Sequence, residues 1–138
     1  MPIDTTKRGA GETGARGKIS GTVSNGVTWN QDVQITEDGT TISGSPQSWT
    51  WSLFVRESYE TPPVLSLSTT AGTLAISQGS TSTTLQIRVA RASLSNLVGS
   101  YIMDIASVNP SDTSPDSAGE SVHWAHGMVT FRNEPVFA

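Results

Sequence analysis

The chain has 138 residues, no cysteine and a formal net charge of -4. That excludes a disulfide framework and a thiolate metal site, and a weakly acidic surface without a basic cluster is not expected to bind nucleic acid electrostatically. No apolar run approaches the ~20 residues of a membrane helix, so no membrane partner is expected either.

The length suits one domain, which can bury about two-thirds of its unfolded surface and so needs no staple. Only 14% of residues are charged, and Ser, Thr and Gly fill the gap, as they do in many β proteins with long polar loops.

Residues 1 to 17 read as an extended polar arm. Gly9, Gly11, Gly14 and Gly17 lie among Lys7, Arg8 and Arg16, with Asp4 and Glu12 opposing them. Met1 and Ile3 are its only large apolar side chains, too few to offset about 1–2 kcal/mol of backbone entropy per ordered residue. Such an arm is expected to order against a neighbour, which makes Lys7, Arg8 and Arg16 candidate interface residues. Met1-Pro2-Ile3-Asp4 starts no apolar run, so no signal peptide is expected.

From Lys18 the pattern has period two. Ile19, Gly21 and Val23 alternate with polar residues up to Asn25-Gly26, a hairpin turn signal. The return strand is expected to place Val27, Trp29, Val33 and Ile35 on one face. Asp38-Gly39 predicts a second turn into a strand from Thr40 to Ser43, which Ser45-Pro46 ends. The next strand is the clearest: Trp49, Trp51, Leu53 and Val55 share one face and Thr50, Ser52 and Arg56 the other. Phe54 sits on the polar side, so this strand is expected to be partly covered on both faces.

Pro62-Pro63 enforces an extended link. Leu65 and Leu67, a turn at Ala71-Gly72, then Leu74 and Ile76 follow. Gln78-Gly79 opens another turn before Leu85, Ile87 and Val89. Leu94, Leu97 and Val98 predict the one short helix, over about residues 91–98, with Gly99 as its stop. Tyr101, Met103 and Ile105 form another strand face, and residues 109–120 a long polar loop. In the last strand, Ser121 to Phe131, Val122 and Trp124 have one parity and Val129 and Phe131 the other. A β-bulge near His126-Gly127 would reconcile them. These elements predict an all-β fold: an immunoglobulin-like antiparallel β-sandwich over 18–138, with one short helical turn and the extended arm before it.

Candidate chemistry is sparse. His123 and His126 flank Trp124, but three residues apart on a regular strand they are expected to face opposite sides and share no ion. Asp104, between Met103 and Ile105, reads as a hydrogen-bonded strand residue. No Gly-x-Ser-x-Gly elbow occurs. Gly9 to Gly14 spell a Gly-x-Gly-x-x-Gly without the strand and helix that give it meaning. No catalytic, metal or cofactor residues are therefore assigned. Four Trp raise the thought of a sugar-stacking platform, yet Trp49 and Trp51 share a face with Leu53 and Val55, which points to core or an interface.

The layout from Trp49 to Val136 resembles small phage tail proteins related to the N-terminal domain of phage upper baseplate proteins. The matching segments are Trp49-Thr50-Trp51-Ser52-Leu53, Leu74-Ala75-Ile76, Leu94 to Leu97, Gly99-Ser100-Tyr101-Ile102-Met103-Asp104, and Gly127-Met128-Val129-Thr130-Phe131. Residues 1 to 48 differ from the family's short lead-in, and no long fibre segment follows, so a self-contained accessory piece is expected. The resemblance implies a non-enzymatic virion component (tail, neck, baseplate or capsid surface) whose partners are other virion proteins and further copies of itself. The alternative is a carbohydrate- or protein-binding module.

Overall fold

The computed structural model describes residues 3–5, 17–37, 39–42, 44–111 and 121–133. Nine strands form in these segments: β1 (Ile3–Thr5), β2 (Gly17–Ser24), β3 (Trp29–Glu37), β4 (Thr50–Arg56), β5 (Leu65–Ser68), β6 (Leu74–Gln78), β7 (Thr83–Val89), β8 (Gly99–Val108) and β9 (Ser121–Arg132). They make two sheets, ordered β1-β3-β7-β6 and β2-β9-β8-β4-β5. Two short 3-10 turns, Pro46–Ser48 and Arg91–Ser93, are the only helical pieces among the described residues. The all-β expectation therefore holds.

One core lies between the sheets. Val33, Ile35, Leu74, Leu85, Ile87 and Val89 come from the four-stranded sheet; Trp51, Leu53, Val55, Leu67, Met103, Ile105, Val129 and Phe131 come from the five-stranded one. The period-two spacing read from the sequence turns these side chains to one face of each strand. Burying each aliphatic side chain stabilises the fold by roughly 1.5–3 kcal/mol before entropy is counted. Phe54 points outward and is half-buried, with the Arg56 guanidinium over its ring at 5.4 Å. β4 is thus covered in part on both faces, as expected.

Several local expectations are corrected. β2 and β3 are not a hairpin: they belong to different sheets, and the chain arches between them. Asn25 holds the arch, its backbone N–H donating to Arg132 O and its side-chain amide to Leu97 O. Val27 is consequently 57% exposed instead of sharing the buried face of Trp29. The strand expected at Thr40 reduces to a single bridge, Glu37 to Thr40.

The helix expected near residues 91–98 is one 3-10 turn. Leu94 N–H donates to Arg91 O and Leu97 N–H to Leu94 O. Three-residue spacing stacks Leu94 and Leu97 on the buried side and leaves Val98 outside. A segment this short gains too few hydrogen bonds to offset α-helix nucleation. Gly99 then turns the chain with φ +97, a region open mainly to glycine.

The β-bulge lies earlier than expected. Ile105 pairs with Ala125 and Ala106 with His123, so Trp124 is the extra residue on β9. Trp124 and Ala125 are both buried as a result.

Within the expected arm, Ile3–Thr5 pairs in parallel with β3, and Gly17 already belongs to β2, opposite Ala125. The arm's other residues, including Lys7, Arg8 and Arg16, lie outside the described residues.

Candidate functional site

The titratable side chains converge on the outer face of the five-stranded sheet. Met103 and Ile105 on β8 turn inward, so Asp104 between them turns outward. Across the ladders Asp104 faces Phe54 on β4 and His126 on β9. His126 in turn pairs with Lys18 on β2.

The bulge decides where His123 points. On a regular strand His123 and His126 would face opposite ways. The extra residue at Trp124 lies between them and restores the phase, bringing both to the outer face on either side of Asp104. This overturns the expectation that they face opposite sides.

His123 Nδ1 lies 2.7 Å from Asp104 Oδ2. A carboxylate only accepts, so Nδ1 carries the proton and donates. The imidazole is therefore held in one orientation. The pair is partly screened by solvent, with side-chain exposures of 39% for His123 and 20% for Asp104. Asp104 Oδ1 and His126 Nδ1 are buried without a hydrogen-bond partner.

A carboxylate-oriented histidine is the base half of a nucleophilic site. Among the described residues no hydroxyl is hydrogen-bonded to His123, so the nucleophile half is missing. Nor does any group of three His, Cys, Asp or Glu side chains among them lie close enough to hold a metal ion. What the arrangement does provide is a fixed, polar cross-strand clamp between β8 and β9.

The tryptophans gather at the end of the sandwich where β4 begins. Trp49, Trp51 and Trp124 stack on one another, with ring centroids 6.2 Å (Trp49–Trp51), 6.3 Å (Trp49–Trp124) and 5.8 Å (Trp51–Trp124) apart. The Trp51 indole N–H donates to Pro46 O and the Trp124 indole N–H to Ser107 Oγ. Trp51 is 0% exposed, so this candidate interface residue belongs to the core. Trp49 is half-buried and closes the stack from outside.

Trp29 and Trp124, at 4% and 3% exposed, are likewise inside. Three of the four rings on which a sugar could stack are therefore covered. The sequence reading did not single out Tyr59, which is exposed in the loop after β4. Nor did it find a shallow groove of about 300 Å³ at the β2–β3 arch, bordered by Thr22, Val27, Trp29 and Gln31. The arch itself was hidden behind a hairpin signal.

No protein-family model matches the chain, and no curated protein matches it in sequence.

Proposed function

We propose that this chain is a non-enzymatic assembly module, an immunoglobulin-like β-sandwich that serves as a structural subunit of a bacteriophage virion. The strand order carries the reading of the fold. The sheets β1-β3-β7-β6 and β2-β9-β8-β4-β5 follow the order of immunoglobulin-like sandwiches, with an antiparallel four-strand layer against a layer closed by a parallel first-to-last pairing. β1 departs from that plan by running parallel to β3. Modules of this kind act through edges, faces and loops.

The virion assignment is supported by the family resemblance running from Trp49 to Phe131 and by the arm whose composition calls for a neighbour. Its partners would be other virion proteins and further copies of the chain.

Particles purified on a density gradient from the source of this chain are expected to contain it in the particle fraction, detected by mass spectrometry. A variant lacking residues 1 to 16 keeps β2 whole and is expected to fold, yet to stay in the unassembled fraction. Absence of the full chain from particles would overturn the virion assignment. Normal incorporation of the truncated chain would overturn the arm as anchor and move attachment to the sandwich.

A further inference from the structure

A two-sheet fold has four edge strands, and here they are guarded unequally. β1 carries Asp4 and β2 carries Lys18, and charge on an edge discourages pairing with another chain. On the other side of the sandwich lie β5 and β6, within a stretch from Thr61 to Ile87 that contains no Asp, Glu, Lys or Arg.

β5 is closed by its own chain. Trp51 O accepts from Thr69 N–H, so the ladder alternation turns the backbone of Ser68 away from β4. Thr73 Oγ1 accepts from Ser68 N–H and donates to Ser68 O, which occupies both groups.

β6 has no such cover. Arg88 N–H donates to Thr73 O and Gly79 N–H to Ser82 O, bracketing the β6–β7 ladder. Alternation between them directs the backbone of Ala75 and Ser77 toward β7 and that of Leu74, Ile76 and Gln78 outward. Among the described residues no backbone hydrogen bond reaches those outward groups. The Gln78 side chain is tied back to Ile42 O and Thr83 Oγ1, so it does not fold over the edge.

We infer that the β6 edge is a homodimer interface, occupied by β6 of a second copy in antiparallel pairing about a two-fold axis through Ile76. This deepens the assembly reading by naming one partner and its surface. The pattern is self-complementary: the two-fold sets Leu74 opposite Gln78 of the second copy and Ile76 opposite its own mate. Every outward N–H and C=O then meets its complement, and each such pair exchanges both bonds. Ala75 falls opposite Ser77 of the second copy, so the exposed side chains at the seam are small and uncharged. The chain's net charge of -4 opposes contact between copies through acidic surface, and this side carries none of it. Pairing extends the four-stranded sheet continuously through both copies.

The test is the mass of the full chain by sedimentation velocity across a concentration series, with far-UV circular dichroism to verify folding. Wild type is expected to form dimers. The double variant Ala75→Lys with Ser77→Lys sets like charges opposite each other twice, and is expected to weaken dimerisation about tenfold or more. Ala75→Lys with Ser77→Glu sets opposite charges at the same places and is expected to dimerise as wild type does. Both positions are exposed, so neither variant removes a core contact. A wild type that stays monomeric at all concentrations overturns the inference. So does a dimer indifferent to the paired lysines. Because the isolated chain is weighed, either result is separate from whether the protein is found in particles.

Discussion

Replacing Trp51 by Ala is expected to destabilise the protein by about 3–5 kcal/mol. The side chain is fully buried and forms the middle of the three-ring stack, in contact with Trp49 and Trp124. Truncation removes a large apolar area and opens a cavity between the sheets. It also strips Pro46 O of the indole N–H that satisfies it at 2.9 Å, which adds a desolvation cost of about 1–3 kcal/mol if no water replaces it. For a domain with only about 5–15 kcal/mol in hand, this is a large share. Urea unfolding measures it directly. Near-UV circular dichroism gives a second readout, because coupled indoles lose their joint signal when the middle ring goes. A loss below about 1 kcal/mol would mean the stack is not part of the load-carrying core.

Gly127→Ala is expected to cost about 3 kcal/mol, a large effect for one methyl group. A Cβ built at Gly127 would sit 1.6 Å from the carbonyl oxygen of Ile19. Ile19 is its direct partner across the parallel β2–β9 ladder. The obstacle is backbone, which cannot rotate aside as a side-chain tip would, so β2 must move away from β9. Hydrogen exchange should then report lost protection in β2 while β7 and β8 stay protected. Gly21→Ala serves as control, because a Cβ there meets nothing within 4 Å. If Gly127→Ala and Gly21→Ala have the same stability within about 0.5 kcal/mol, the close approach of β2 to β9 is wrong.

Gly127 also shows how far the sequence could be read. Its position in the last strand suggested a bulge, since glycine inside a strand often marks one. The other meaning of such a glycine, a neighbouring backbone that leaves no room for Cβ, needs the partner strand to be known. The adjacent apolar pair Trp124-Ala125 was the local trace of the real bulge, but a small alanine is tolerated on either face. Placing the bulge three residues late set His123 and His126 on opposite faces and concealed their convergence on Asp104.

The strands β4, β7 and β8 were legible because alternation over Trp51 to Val55, Leu85 to Val89 and Tyr101 to Ile105 is a local property. Asn25-Gly26 was legible only as a change of direction. Whether a turn joins neighbours in one sheet or crosses to the other is settled by distant groups, here Arg132 O and Leu97 O. Leu94 and Leu97 were correctly read as buried, but spacing alone does not separate one 3-10 turn from two turns of α-helix. The clamp of Asp104 and His123 joins residues on separate strands, and no spacing rule within one strand could predict it.

The pairing of Gly17 with Ala125 sets the order in which the molecule can be completed. Loop closure over so long a separation must come before the contacts it permits, and folds rich in such pairings form in milliseconds to seconds, well behind helical bundles. On the ribosome β2 is made early and waits for β9, held in the meantime only by the β3 side of the chain. Until β9 arrives, β8 and β2 present open edges to any other nascent chain. Lys18 is the one lysine or arginine on either of those strands, and it stands guard through that interval.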